Sequence, residues 1–484
     1  MKPQQLNVQD VGFVYQDSEK TPMHINGLAI FDQATSKIKR MRQEEIVSYI
    51  EQRLHQAPIL TQKLHHTPLE LERPYWVEDQ NFNLSDHIFQ IKLPAPGNKQ
   101  QLNKLVSDIM AGPLDMNKPL WQIYFIEGLN QFDNVGKNSF AMLTKIHHCC
   151  IDGASGNNLF ATLFDREPDP KDQPLMPINQ VEEEEEVVEM PGRFEMLVSS
   201  YGRNTVSAWA QTVEVSKRLP GLTSAAVKLF RGEKDAGVKL SVPLTRFNRT
   251  PDKERSFGYT TFSLTDIKTI RTVVPGATVN DIMVAIIAGA LREFLDAKGE
   301  LPEISMGAMM PKNLREGAEH DAKHGNRVGG LFASIHTDVV DVKERLEAIS
   351  RSTKAAKKLE SELDTGAIFP NLMGGFLYPK AGKAFTKFAQ KHKLMERVGP
   401  VVLNTIITNI PGPKFDLYHA GALQKNFIAI PPLTDGIALA HAIYSVNDSI
   451  ALGVASCPSM IDDSSFYIEC CERSFDALMS LVER

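Results

Sequence analysis

The chain has 484 residues, 42% of them hydrophobic and 23% charged, with a formal net charge of −6. That length predicts more than one core, and that balance excludes a disordered, fibrous or generally nucleic-acid-binding chain. Five cysteines form no even, regularly spaced framework, which favours a reducing compartment over a disulfide scaffold.

The opening residues MKPQQLNVQDVGF are polar and lack the apolar run of a signal peptide. Further on, GLAIFD (27–32), WQIYFIEGL (121–129) and SFAMLTKIHH (139–148) are short, apolar and rich in β-branched or aromatic residues, which predicts buried strands. EEIVSYIEQRL (44–54) and KQQLNKLVSDIMAG (99–112) carry helical spacing. Residues 166–192 combine several prolines with five consecutive glutamates and no hydrophobic period, so they read as an exposed linker. The glutamate run lacks the spaced oxygen ligands and turn glycine of a calcium loop.

Beyond the linker, 194–231 reads as mainly helical, with a break at LPG (219–221). TVNDIMVAIIAGALREFLDAKG (278–299) predicts a long helix, with Thr278 or Asn280 as its cap, Asp281 at the positive end of its dipole and Gly299 at its close. Its apolar run IMVAIIAGAL is well short of the roughly 20 residues that span a bilayer. Strand-like runs come next at 304–310, 331–340, 401–410, 437–448 and 449–456. The basic, amphipathic stretch 376–399 could lie on an anionic membrane surface through Lys383, Lys387 and Lys391, with Phe385 and Phe388 beside them. The expected class is therefore α/β (α+β), divided as residues 1–165, the linker 166–192 and residues 193–484.

Chemistry concentrates in KIHHCCIDGASG (145–156). Zinc ligands usually come as spaced pairs, whereas this His-His-Cys-Cys run is consecutive. On a strand, His147 and His148 would point to opposite faces, so no metal site is expected. Cys149 or Cys150 could be a nucleophilic thiol, although small buried thiols filling a strand end are the commoner case, and His148 could be a general base or a hydrogen-bonded core histidine. The Asp-Gly pair after the cysteines favours the base. Asp152 can hold the turn or orient the ring, and Gly153 permits backbone angles that other residues resist. The second histidine pair, KLHHTPLE at His65–His66, has no Asp-Gly behind it and reads as a surface feature.

HHCCIDG fits the HHxxxDG motif of the CoA-dependent acyltransferase superfamily, which includes chloramphenicol acetyltransferases, plant alcohol acyltransferases and peptide-synthetase condensation domains. The chain as a whole resembles the bacterial bifunctional wax ester synthase/acyl-CoA:diacylglycerol acyltransferases. TPMHINGLAIFD (21–32), PYWVEDQNFNLSDHI (74–88) and NKPLWQIYFIEGL (117–129) are similar to that family's N-terminal signatures. TVNDIMVA (278–285), MPKNLR (310–315), HGNRVGG (324–330) and TNIPGP (408–413) resemble its C-terminal ones. Near GVASCPSMIDD (453–463) the family often has an aspartate where this chain has Cys457 or its neighbours.

The resemblance implies two chloramphenicol-acetyltransferase-like domains, each a mixed sheet flanked by helices, with a central channel between them. It implies direct transfer of a long-chain acyl group from acyl-CoA to a fatty alcohol or a diacylglycerol, with no cofactor, because acyl-CoA is consumed as substrate; the competing readings are a condensation-type enzyme using carrier-protein-bound acyl groups and a non-catalytic lipid-inclusion protein. His148 would be the general base, His147 a supporting residue, Asp152 a structural residue paired with an arginine, and Gly153 a turn former. Asn280 would lie near the reacting centre with Asp281 in support, and Asn409, Pro411, Gly412 and Trp121 would contact substrate. Peripheral attachment to the inner membrane face and to lipid inclusions is the expected location.

Overall fold

A computed structural model describes residues 4–67, 70, 72–132, 135–151, 163–169, 242–313, 328–363, 384, 387–392 and 403–482. The first half carries β1 (Gln4–Gln5), α1 (Val8–Gln16), β2 (His24–Asp32), α2 (Gln43–Glu51), β3 (Gln62–His65), β4 (Tyr75–Glu78), β5 (Ile88–Lys92), α3 (Lys99–Ala111), β6 (Trp121–Glu127) and β7 (Phe140–His147). Then come β8 (Ser256–Ser263), α4 (Leu264–Ile270), α5 (Val279–Ala297), β9 (Gly307–Asn313), β10 (Val328–Ser334) and α6 (Val342–Leu363). The chain continues through β11 (Thr405–Pro411), β12 (Tyr418–His419), β13 (Ala422–Ile430), β14 (Leu439–Val446), β15 (Ser449–Ser456) and α7 (Ser464–Met479).

Two six-stranded sheets result, ordered β12-β13-β2-β7-β6-β5 and β10-β9-β11-β14-β15-β8, together with a small sheet β1-β4-β3. Both large sheets are mixed: β5 runs parallel to β6, and β11 runs parallel to β9 and β14. β7 lies inside its sheet and is buried along its whole length, which is why FAMLTKIH reads as an apolar run rather than an alternation.

The first sheet is completed from the far end of the sequence. Leu423–Ile430 of β13 pairs antiparallel with Asn26–Asp32 of β2, so sheet membership does not follow the division at residues 166–192. β13 also packs on the second sheet, where the Phe427 and Tyr444 rings lie 4.6 Å apart. A Cβ added at Gly453 of β15 would meet the Ala429 carbonyl at 2.4 Å, so only glycine allows that approach. One continuous apolar core consequently joins Leu28 and Leu143 of the first sheet to Ile286, Leu452 and Tyr467 of the second half. Another cluster, with Phe31, Tyr49, Trp121 and Phe140, lies under α1 and α2.

Helix α5 is apolar on all sides because it is buried on all sides from Asp281 to Leu291. Thr278 is its cap: Thr278 Oγ1 accepts from Asp281 N at 3.2 Å, and Asp281 Oδ2 accepts from Thr278 N at 2.8 Å. Two expected strands shift, to 307–313 and 328–334. The helical reading of 194–231 lies outside the described residues. Among those residues, no helix is long and apolar enough to cross a membrane.

Candidate active site

Strand β7 ends at His147, and His148 opens a 3-10 turn, His148–Cys150, instead of continuing the strand as expected. The turn forms because His148 N donates to the Met23 carbonyl at 2.8 Å, beyond the last ladder pair, His24 with His147. The two neighbouring histidines thereby receive different surroundings.

His147 is fully buried, and its Nδ1 accepts from Cys149 N at 3.2 Å and lies 2.9 Å from Cys149 Sγ. Its Nε2 lies 3.5 Å from Asp17 Oδ2, an ion-pair distance at which no well-formed hydrogen bond closes. Asp17 is itself fixed by Met23 N at 2.8 Å. His147 therefore ties the turn to the α1–β2 loop. Burial pushes the Cys149 thiol well above its ordinary range, so it stays protonated and is a poor nucleophile.

His148 is part-exposed as a residue, and its Nδ1 is buried without a hydrogen-bond partner. Its face is stacked on Phe13 of α1, with ring centroids 3.7 Å apart and planes inclined by 16°. Burial lowers its pKa to about 4; its own carbonyl opposes that shift and His147 adds to it. Protein surrounds the ring closely enough to disfavour its cation. At neutral pH the ring is unprotonated and able to accept a proton.

Asp152 and Gly153 lie outside the described residues. The amide group predicted in the second half is assembled from two distant segments. Asn409 Nδ2 donates to Asn280 Oδ1 at 3.1 Å, and Asn280 Nδ2 donates to Met310 Sδ at 3.5 Å. Asp281 points the other way: buried, it accepts from Thr353 Oγ1 at 2.7 Å as well as from Thr278 N. It joins α5 to α6 and has a structural role. Among the described residues, no hydrogen bond or ring contact links His148 to Asn280 or Asn409.

Trp121 is a correction. It is 2% exposed, donates Nε1–H to the Leu60 carbonyl at 2.8 Å and stacks on His87, so it belongs to the core and not to a substrate surface. Pro411 ends β11, and Gly412 is required by crowding, since a Cβ there would meet the Ser445 carbonyl at 2.3 Å. In the basic stretch, Lys387, Phe388 and Lys391 are described and exposed, with Phe388 at 53%; Lys383 and Phe385 lie outside the described residues. Gln390 Nε2 donates to the Gln16 carbonyl at 3.1 Å, which places this segment against the loop bearing Asp17.

Several residues around His148 gave no signal in the sequence. His24, inside TPMHINGLAIFD, is buried with both ring nitrogens unpartnered, and burial holds its pKa well below the usual range. Lys145, 1% exposed, donates to the Ile109 carbonyl at 2.9 Å at the end of α3 and has a pKa lowered to about 8 by burial. Arg255 meets Cys457 Sγ at 3.9 Å and donates to the Lys20 carbonyl at 2.6 Å. Cys457 thus fills the loop beside a guanidinium that is satisfied by backbone oxygens. Among the described residues, no group of three or more His, Cys, Asp or Glu is placed to hold a metal.

Comparison with known proteins adds an independent line. Residues 6–283 match the model of the wax ester synthase/diacylglycerol acyltransferase catalytic domain, and residues 324–479 match the model of the C-terminal domain of the same enzymes. A putative diacylglycerol O-acyltransferase of Mycobacterium tuberculosis is 26% identical over 467 residues, covering 95% of this chain and 87% of that protein. A probable diacylglycerol O-acyltransferase of the same species is 28% identical over 454 residues, covering 93% and 92%. The solved wax ester synthase/diacylglycerol acyltransferase from Marinobacter aquaeolei superposes with a TM-score of 0.66 at 24% identity, over 99% of this chain and 100% of that one. That last likeness is one of fold.

Proposed function

Because the chain belongs to the wax ester synthase/diacylglycerol acyltransferase family, and is an acyltransferase, we propose that it moves a long-chain acyl group from acyl-CoA to a fatty alcohol, a diacylglycerol or both, with His148 as the general base. One observation supports the assignment of the base: His148, part-exposed as a residue, carries an unprotonated ring on a turn fixed by the Met23 carbonyl.

In this mechanism the alcohol and the acyl-CoA bind together and no acyl-enzyme forms. His148 takes the hydroxyl proton as the alcohol oxygen attacks the thioester carbon. The tetrahedral intermediate collapses, the carbon–sulfur bond breaks, and the imidazolium returns its proton to the CoA thiolate. The buried thiol of Cys149 supports direct transfer, since it offers no ready covalent alternative. Asn280 and Asn409 form a fixed amide pair suited to orienting substrate, and the reading requires no cofactor. Long chains suit apolar walls, where each buried methylene contributes about 0.8 kcal/mol and broad chain-length tolerance results. Lys387, Lys391 and exposed Phe388, with Lys383 and Phe385 nearby in sequence, suit peripheral contact with an anionic membrane face or a lipid inclusion, where such substrates reside.

The test incubates the purified protein with palmitoyl-CoA and either hexadecanol or a diacylglycerol, following release of free CoA. Release that depends on the acceptor supports the proposal and ranks the two acceptors. Release independent of any acceptor, or none at all, overturns it.

A further inference from the structure

The stack on His148 has no counterpart in the sequence motif. On α1, Asp10, Val11, Gly12, Val14 and Tyr15 are buried while Phe13 is left part-exposed, so Phe13 is not simply one of the residues anchoring the helix to the core. The helix is nevertheless rigidly held. Asn7 caps it through Asp10 N at 2.7 Å, and Leu6 just before it donates to the Pro74 carbonyl at 2.9 Å. Phe13 thus sits on an anchored helix with its ring stacked on the His148 imidazole.

We propose that Phe13 is a positioning residue for His148: its ring face sets the imidazole plane and stabilises the imidazolium formed when His148 takes the substrate proton. The proposal rests on the reading of His148 as base. Nδ1 has no hydrogen bond to fix the ring, and the stack constrains its plane. The lone pair of Nε2 lies in the imidazole plane, so covering one ring face leaves the direction of proton transfer open. A cation within about 6 Å of a phenyl centroid is attracted by the ring's negative face, and more strongly where water is excluded. Here the separation is 3.7 Å. Burial makes the imidazolium costly, and the benzene face offsets part of that cost in the step that forms it.

His147 is the charged neighbour that acts on the ring, and the titratable groups on the elements next to the turn are kept unchanged in every variant. They are Asp10 and Asp17 on α1 and the loop after it, His24 on β2, His147 on β7, Cys149 and Cys150 in the turn, and Lys387 and Lys391 on the segment joined to Gln16.

The experiment replaces Phe13 with phenylalanines carrying one, two or three ring fluorines, and separately with Leu and Trp. Fluorination keeps the ring's shape and weakens its negative face, so kcat should fall stepwise while KM for palmitoyl-CoA holds. Phe13→Leu should lose roughly 5- to 30-fold in kcat, and Phe13→Trp should retain most of it. The protonation midpoint of His148, followed by carbethoxylation and mass spectrometry, should move down as fluorines are added. A residue that merely packs predicts no dependence on fluorine, and a midpoint that stays put or rises as the ring admits water; either result overturns the proposal. Carbethoxylation reports the stack whether or not His148 is the base. If the midpoint moves down while His148→Ala keeps full activity, the stack stands and the base assignment, with its catalytic consequence, falls.

Discussion

The surroundings of His148 and of Asn280 are built on opposite electrostatic plans. Around His148, basic side chains are buried with atoms left unpaired: His24 at both nitrogens, His148 at Nδ1, and His147 at an ion-pair distance too long for a hydrogen bond. Around Asn280, neutral amides bond one another, and the carboxylate next to it in the chain, Asp281, is satisfied by Thr278 and Thr353. Proton transfer needs groups whose charge state can change, and low hydration is what tunes them. Orientation of a substrate needs the reverse, dipoles that are fixed and already paired.

Substitutions should separate the two by what they damage. His148→Ala should lower kcat by about 10²- to 10⁴-fold while the thermal unfolding midpoint barely moves. Activity kept within a few-fold would remove the contrast. Beside Asn280, Asp281→Ala should lower unfolding free energy by about 2–3 kcal/mol in urea titrations, because Thr278 N–H and Thr353 Oγ1 lose a charged partner. A catalytic role for Asp281 would instead show as lost kcat at unchanged stability.

Acid should act on the buried rings. Folded His148 and His419 have pKa values lowered to about 4, and His441 to about 3, all by burial, whereas unfolded histidines titrate near 6.5. Between about pH 6.5 and 4 the unfolded chain therefore binds more protons than the folded one, and stability should decline as pH falls through that window. Denaturation midpoints at several pH values should show this slope, and His419→Phe should flatten it; a flat wild-type profile would contradict the burial of these rings. The smallest effect belongs to the Asn280–Asn409 bond. A double-mutant cycle on kcat/KM should give a coupling of about 0.5–1.5 kcal/mol, and zero coupling would mean the two amides act separately.

What the sequence disclosed divides along physical lines. β7, β14, β15 and α5 were legible because continuous burial leaves an unbroken apolar run. β8 was missed because SFGYTTFS is rich in Ser, Thr and Gly and resembles a loop. The pairing of β13 with β2 joins residues nearly 400 apart in sequence, and no local period encodes such a contact. The site divides similarly. Motif resemblance pointed to His148, Asn280 and Asn409, whereas the contacts of Phe13, Asp17 and Arg255 form only once distant segments come together in the fold. Trp121 misled for the opposite reason, since an aromatic in a recognisable motif can serve packing alone.

The strand exchange bears on how the chain is made. β2 has one ladder neighbour in β7, and the other, β13, begins only at Ala422. During synthesis the nascent amino-terminal half therefore waits with an open strand edge while most of the polypeptide leaves the ribosome, a period in which chaperone protection matters most. Expressed alone, that half should precipitate, and supplying the remainder in trans should rescue it.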